Sequence, residues 1–243
     1  MMAISVVVIF GLARASAQSL GPVVIPSPSV VPVYPELGTG VVVSVPQPIP
    51  PPYQPGTGYG NSNGSGGGSA MAAYTASGYS ISGVAAAEQV GINPQAIAGI
   101  AYVESHDQNI GNANGSTSAF GVYQITQPTW QSTVAQFGLP YSTADMTNPT
   151  DQAVVASYIL QDYANTVSQY TQGPPTVLQT YGAYMFGPVP GGEIATSPAS
   201  TPLSNFVSPS ALANNNMSGW TVGEYQSVMA GRLGGTANDS VFS

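Results

Sequence analysis

The chain has no lysine and no cysteine, and its two arginines are Arg14 and Arg232. Charged residues make up 5% of its 243 positions, against about 25% in ordinary soluble proteins. Ten acids face two bases. No basic patch exists to neutralise phosphates, which argues against nucleic acid as a partner. The lack of cysteine excludes disulfides and thiolate metal sites and leaves the redox compartment open. His106 is the single histidine; with no thiol beside it, it makes a poor metal ligand, and no motif calls for a cofactor. Such a surface has to stay soluble through Asn, Gln, Ser, Thr and Tyr rather than through ion pairs.

What is present divides the chain. Ala3 to Ala13 is an apolar run too short to span a bilayer. It leads into Ala15-Ser16-Ala17, a small-x-small site. Residues 1–17 therefore read as an export signal cleaved after Ala17, giving a periplasmic or secreted protein with no membrane span in the mature chain. No Lys or Arg precedes the run, so an uncleaved apolar N-terminus is the alternative. The first third holds 11 of the 22 Pro and 12 of the 29 Gly, including Pro50-Pro51-Pro52 and the Gly/Ser/Asn run from Gly56 to Ser69. Residues 18–71 read as a disordered Pro/Gly/Ser-rich linker. Residues 72–234 remain as one domain able to bury a core, and 235–243 as a flexible tail.

Within that domain the signals are helical. Ala72 to Val90 is rich in alanine and stops at Gly91, a natural helix end. Asn93-Pro94 supplies an N-cap and a first-turn proline. From there Ile97, Ile100, Ala101 and Glu104 fall at i, i+3, i+4 and i+7, one face of a helix. Trp130, Val134 and Phe137 repeat the spacing before Gly138. Asn148-Pro149 opens a helix with Val154, Val155, Tyr158 and Ile159 as its stripe. Val177, Tyr181 and Tyr184 mark another, closed by Gly187-Pro188. Ser208-Pro209 starts a short one, and Thr221 to Glu224 has the capping-box pattern, with Trp220 and Tyr225 as a hydrophobic staple. Only Ala119 to Thr126 could be extended. The expected fold is all-α with at most a minor β element.

Glu104 is the unusual member of its stripe. A carboxylate on an apolar face points at the core or at a cleft, and removal from water raises its pKa, as a general acid near neutral pH requires. The alternative is a glutamate at the inner edge of a helix end that reaches solvent.

The surrounding motifs bear on that choice. Glu104-Ser105 at a helix end, then Gly121-Val122-Tyr123-Gln124-Ile125, resembles the goose-type-lysozyme-like lytic transglycosylases, the soluble lytic transglycosylase catalytic domain. Asn148-Pro149 with Ala153 and Tyr158-Ile159-Leu160 is similar to that family's Asn-Pro…Tyr-Leu helix. Ala183-Tyr184-Met185-Phe186-Gly187-Pro188 is similar to its Ala-Tyr-Asn-Ala-Gly-Pro motif. The four blocks run in the family's order. Tyr123 stands where the family usually has Met, and Met185-Phe186 replaces Asn-Ala, which bears on the lining of the cleft.

The resemblance implies a small lysozyme-like domain that cleaves the MurNAc-GlcNAc bond of peptidoglycan strands. Glu104 would be the single acid/base, the product would be a 1,6-anhydro sugar, and no metal or cofactor would be needed. It further implies Ser105, Tyr123, Gln124 and Tyr184 as substrate-binding residues. Two alternatives stay open. A muramidase-type hydrolase would need a second carboxylate at a water's width from Glu104; Asp107, Asp145, Asp151 and Asp162 are the candidates. A non-catalytic glycan-binding component of an envelope machine or phage particle, with an assembly partner the residues do not identify, would need no acid at all. His106 is a rim residue or plays no part.

Overall fold

In the computed structural model, residues 66–111 and 118–243 are described. The expected export signal, and the expected linker as far as residue 65, lie outside them.

Nine α-helices occur among the described residues: α1 (Gly66–Thr75), α2 (Ser80–Gln89), α3 (Pro94–Ser105), α4 (Gln127–Phe137), α5 (Pro149–Thr171), α6 (Val177–Phe186), α7 (Pro188–Thr196), α8 (Pro209–Asn214) and α9 (Val222–Leu233). Short 3-10 turns lie at Thr143–Thr147, Leu203–Asn205 and Gly234–Thr236. There is no strand among the described residues, and backbone pairing outside helices is limited to isolated bridges. The domain is all-α, as expected.

Helix starts follow the capping chemistry of the sequence. Asn93, Thr126, Asn148, Thr176, Ser208 and Thr221 each accept a backbone N–H at a first turn. Thr176-Gln179 and Thr221-Glu224 close full capping boxes. Gly91 and Gly138, with φ of 72° and 62°, supply the left-handed residues that end α2 and α4.

Three features depart from expectation. The alanine-rich segment is two helices, not one, and the first begins at Gly66, inside the expected linker. Ala70 and Tyr74 of α1 are buried, so the folded domain starts before residue 72. Gly187-Pro188 does not merely close α6; the proline sits in the first turn of α7. Residues 235–243 are not a flexible tail. Val241 is fully buried; its N–H donates to the Pro175 carbonyl and its carbonyl accepts from Asn93 N, while the Asp239 carbonyl accepts from Val177 N. The chain end thus satisfies free backbone groups at the starts of α3 and α6, which anchors it.

Helix α3 is the centre of the domain. Every residue from Ala96 to Ala101, and then Val103, Glu104 and Ser105, is buried. The sequence pattern shows one apolar face, whereas the structure encloses the helix nearly all round. Small residues make this possible: Ala96, Ala98, Gly99 and Ala101 let α1, α2, α5 and α9 approach it. Helix α7 comes equally close to its neighbours. A β-carbon at Gly191 would collide with the Ala183 backbone of α6, and one at Gly192 with the Tyr170 ring of α5.

Candidate active site

Glu104 lies at the penultimate position of α3 and is 5% exposed. Its Oε1 accepts a hydrogen bond from the Tyr181 hydroxyl at 2.9 Å, while Oε2 is buried without a hydrogen-bond partner in the chain. Burial pushes the carboxyl up to about 8, against the Tyr181 hydrogen bond and the Arg232 charge, which both favour its ionised form. The group therefore holds its proton at neutral pH.

Helix α3 ends immediately after the acid in an unusual way. His106 and Asp107 are both left-handed, with φ of 55° and 61°, a conformation that costs non-glycine residues energy and collects at functional sites. Ser105 links the helix end to the loop that follows. Its hydroxyl is 2.7 Å from the Val122 carbonyl and 3.2 Å from that of Ala101, and it accepts from Gln108 N at 3.0 Å.

The 121–125 loop is braced from within. Gly121, at φ 87°, is required twice over: the angle favours glycine, and a β-carbon would strike the Gln152 side chain. Gln152, buried on α5, accepts from Val122 N at 2.8 Å and donates to the Met146 carbonyl at 2.6 Å and to Asn109 Oδ1 at 2.9 Å. Gln124 is left-handed too, at φ 47°. Its Nε2 donates to the Gly121 and Ile110 carbonyls at 2.7 and 3.0 Å, so this amide holds the loop and is not bonded to Glu104.

Four tyrosines join the loop to the acid. The Tyr184 hydroxyl donates to the Tyr123 carbonyl at 2.6 Å. Its ring stacks on that of Tyr181 at 6.4 Å, 14° from parallel. Tyr123 is fully buried, and its hydroxyl pairs with that of Tyr74 on α1 at 2.7 Å. Burial drives Tyr123, Tyr181 and Tyr184 well above the ordinary phenol range, so all three are neutral, and Tyr181 and Tyr184 are donors.

With this geometry in view, residues 83–198 match the family described as the Transglycosylase SLT domain. The segment is a transglycosylase SLT domain. Among solved structures, the chain is similar to an inactive mutant of the lytic transglycosylase Slt from Pseudomonas aeruginosa, at 17% identity and a TM-score of 0.43. The alignment covers 68% of this chain and 26% of that one, so this chain spans about a quarter of its length. No curated protein sequence matches the chain.

The transglycosylase domain match ends before two groups within electrostatic reach of its acid. Tyr225 and Arg232, both on α9, lie beyond residue 198, and each interacts electrostatically with Glu104. Sequence reasoning missed Arg232 as a site residue and preferred Tyr184 to Tyr181. Both tyrosines lie on the inward stripe of α6, and only the distance to Oε1 separates them. Tyr74 also lies outside the match, yet Gly83 is accommodated to it, since a β-carbon there would fall on the Tyr74 hydroxyl.

Asp107 is the other carboxyl group near the end of α3. It is half-buried, its Oδ1 accepts from the Tyr79 hydroxyl at 3.4 Å, and burial raises it to about 6. Asp145 is held below the usual carboxylate range by hydrogen bonds from Ser142, to which it is a capping partner. Asp151 bonds Asn148 at the start of α5, and Asp162 accepts from Gln136. No cluster of three or more potential metal ligands occurs among the described residues.

Proposed function

We propose that the chain is a peptidoglycan lytic transglycosylase in which Glu104 is the single acid/base. The observation that carries the reading is the buried Glu104 carboxyl, protonated at neutral pH and oriented by Tyr181. A proton held there is available to a glycosidic oxygen brought against Oε2, the oxygen that has no partner in the chain.

The reaction needs no second acid. Glu104 gives its proton to the glycosidic oxygen as the C1–O bond of the N-acetylmuramic acid unit breaks, and the alcohol leaves with that proton. The sugar's own 6-hydroxyl then attacks C1, forming the anhydro ring, and returns its proton to the Glu104 carboxylate. One bond is broken, one is made, no water is consumed, and the enzyme ends as it began. The hydrolytic alternative would instead require a second carboxylate to activate water.

Ser105, Tyr123, Gln124 and Tyr184 are, in this reading, the frame of the site. Their polar side-chain atoms bond within the chain and hold the 121–125 loop against the end of α3. A peptidoglycan substrate and the small-x-small site at Ala15 to Ala17 both support an exported protein. N-terminal sequencing of the exported protein, expected to begin at Gln18, checks this. The decisive experiment for the reaction is mass spectrometry of fragments released from purified cell wall. Wild type is expected to yield muropeptides lighter by one water than hydrolysis products, and Glu104→Gln to yield none. Products with a free reducing end would identify a hydrolase.

A further inference from the structure

A single carboxyl group that first gives a proton and then takes one back needs both protonation states within reach. Burial of Glu104 favours only one of them. Tyr181 assists the ionised state, but only at Oε1. Oε2 is buried and unpartnered within the chain; among the described residues the same holds for Asp107 Oδ2, Asn215 Oδ1 and two atoms of side chains within electrostatic reach of Glu104, the Tyr225 hydroxyl and Arg232 Nη1. Both belong to α9, which packs on α3 and on α6. Tyr225 is enclosed, with its ring 5.4 Å from that of Phe186 and its hydroxyl 3.5 Å from where a β-carbon on Gly182 would stand.

Arg232 is the only lysine or arginine among the described residues. Its place in the last turn of α9 suits the helix dipole. That accounts for its position along the helix but not for a buried Nη1 within electrostatic reach of Glu104, Tyr181 and Tyr225 together. The polar groups within electrostatic reach of Glu104 come from two helices, Tyr181 and Tyr184 from α6 and Tyr225 and Arg232 from α9, and Tyr181 and Arg232 are the two that favour its ionised form. Helices α1, α2 and α5 also pack on α3 but add no charge that acts on it.

We propose that Arg232 is a positioning residue for the reaction: α9 brings a lone cation to the acid so that the Glu104 carboxylate, once formed, persists long enough to act as the base. The proposal rests on the reading of Glu104 as the acid/base. It extends the working site beyond the matched domain, to a helix that would otherwise count as structural support. Without the cation, Glu104 would keep its proton too firmly to release it to the leaving oxygen.

The test is carboxyl titration of the full chain labelled with 13Cδ-glutamate, with the Glu104 signal assigned by its loss in Glu104→Gln. In Arg232→Gln the Glu104 midpoint is expected to rise by about half a pH unit or more, with Arg232→Lys close to wild type. On soluble glycan, kcat is expected to fall about tenfold or more at little-changed KM, with partial rescue by lysine. A merely structural arginine would lower the melting temperature and leave the midpoint in place; an unmoved midpoint in folded Arg232→Gln overturns the proposal. Should that variant not fold, 15N-arginine spectra of wild type and Glu104→Gln decide. The Arg232 signal is expected to follow the Glu104 titration in wild type and to be flat in the variant, and a flat signal in both overturns the pairing. If wild type releases no glycan, the functional reading fails while the titration still decides the pairing.

Discussion

Replacing the Glu104 carboxyl by a carboxamide keeps its shape and its place against Tyr181 while removing the transferable proton. Glu104→Gln is expected to lower muropeptide release by at least about 100-fold; near-wild-type release by a folded variant rules out the assignment. Its stability has a definite sign. The folded pKa, about 8, lies above the ordinary 4.5. The stabilising contribution is complete below the ordinary value and is lost as pH rises through the folded one. The glutamine variant should thus melt at or above the wild-type temperature at pH 7, with the gain shrinking towards about pH 4.5. The two stacked tyrosines are separable by the same logic. Tyr181→Phe removes the hydrogen bond that favours ionised Glu104, so the acid titrates higher and kcat falls by about ten- to a hundredfold, the value of a bond to a charged group. Tyr184→Phe loses a neutral bond to the Tyr123 carbonyl and is expected to cost about 1 kcal/mol of stability, with the smaller effect on rate. Steady-state kinetics on soluble glycan beside thermal melts compares the pair, and equal rate losses would leave Tyr181 without its special role.

Helices in this domain meet through glycines, and the partner atom decides how much an added methyl costs. At Gly83 of α2 a β-carbon would fall on the Tyr74 hydroxyl, a side-chain group that can swing at the expense of its bond to Tyr123. Gly83→Ala is expected to cost about 1–3 kcal/mol. At Gly191 of α7 the obstacle is the backbone of Ala183 on α6, which cannot rotate away, so Gly191→Ala should cost more than about 3 kcal/mol. Denaturant midpoints order the two variants, and the reverse order would mean that α7 shifts more freely than its packing implies. The Gly83 contact also ties α1 to the site, since Tyr74 reaches Tyr123, whose carbonyl holds Tyr184. The element before the matched domain is thereby coupled to the loop beside the acid.

For the whole molecule, the scarcity of cations governs the response to acid. Acid unfolding arises mainly from protonating carboxylates that were paired in the native state. Here Glu104 and Asp107 are both displaced upward, to about 8 and about 6. The stability that each contributes is whole below the ordinary carboxylate range and declines as pH rises through those values. Asp145, held low by Ser142, works in the opposite sense but is exposed. Stability is therefore expected to hold or improve from pH 7 to about pH 4.5, where net negative charge and its self-repulsion also fall. Thermal melts across that interval check it; a steep drop in melting temperature between pH 6 and pH 4.5 would show depressed carboxylates dominating.

Much of this protein was legible from local order along the chain. Asn93-Pro94, Asn148-Pro149, Thr221 to Glu224 and the glycines at 91 and 138 mark helix ends because a cap is a bond between near neighbours, set by residue type and spacing. Glu104 stood out for a similar reason, as a carboxylate at i+7 in an apolar stripe followed by motifs in a recognisable order. What the tertiary structure decided is everything that depends on distance through space. It separated Tyr181 from Tyr184, which share one face of α6, by bringing only the first within reach of Oε1. It turned Gln124 and Ser105 into braces of a loop, and it folded a presumed loose tail onto the starts of α3 and α6. It also carried Arg232 across 128 positions (232 less 104) to the acid. No periodicity encodes such a meeting, because burial and electrostatics are properties of the packed molecule and not of the order in which its residues are joined.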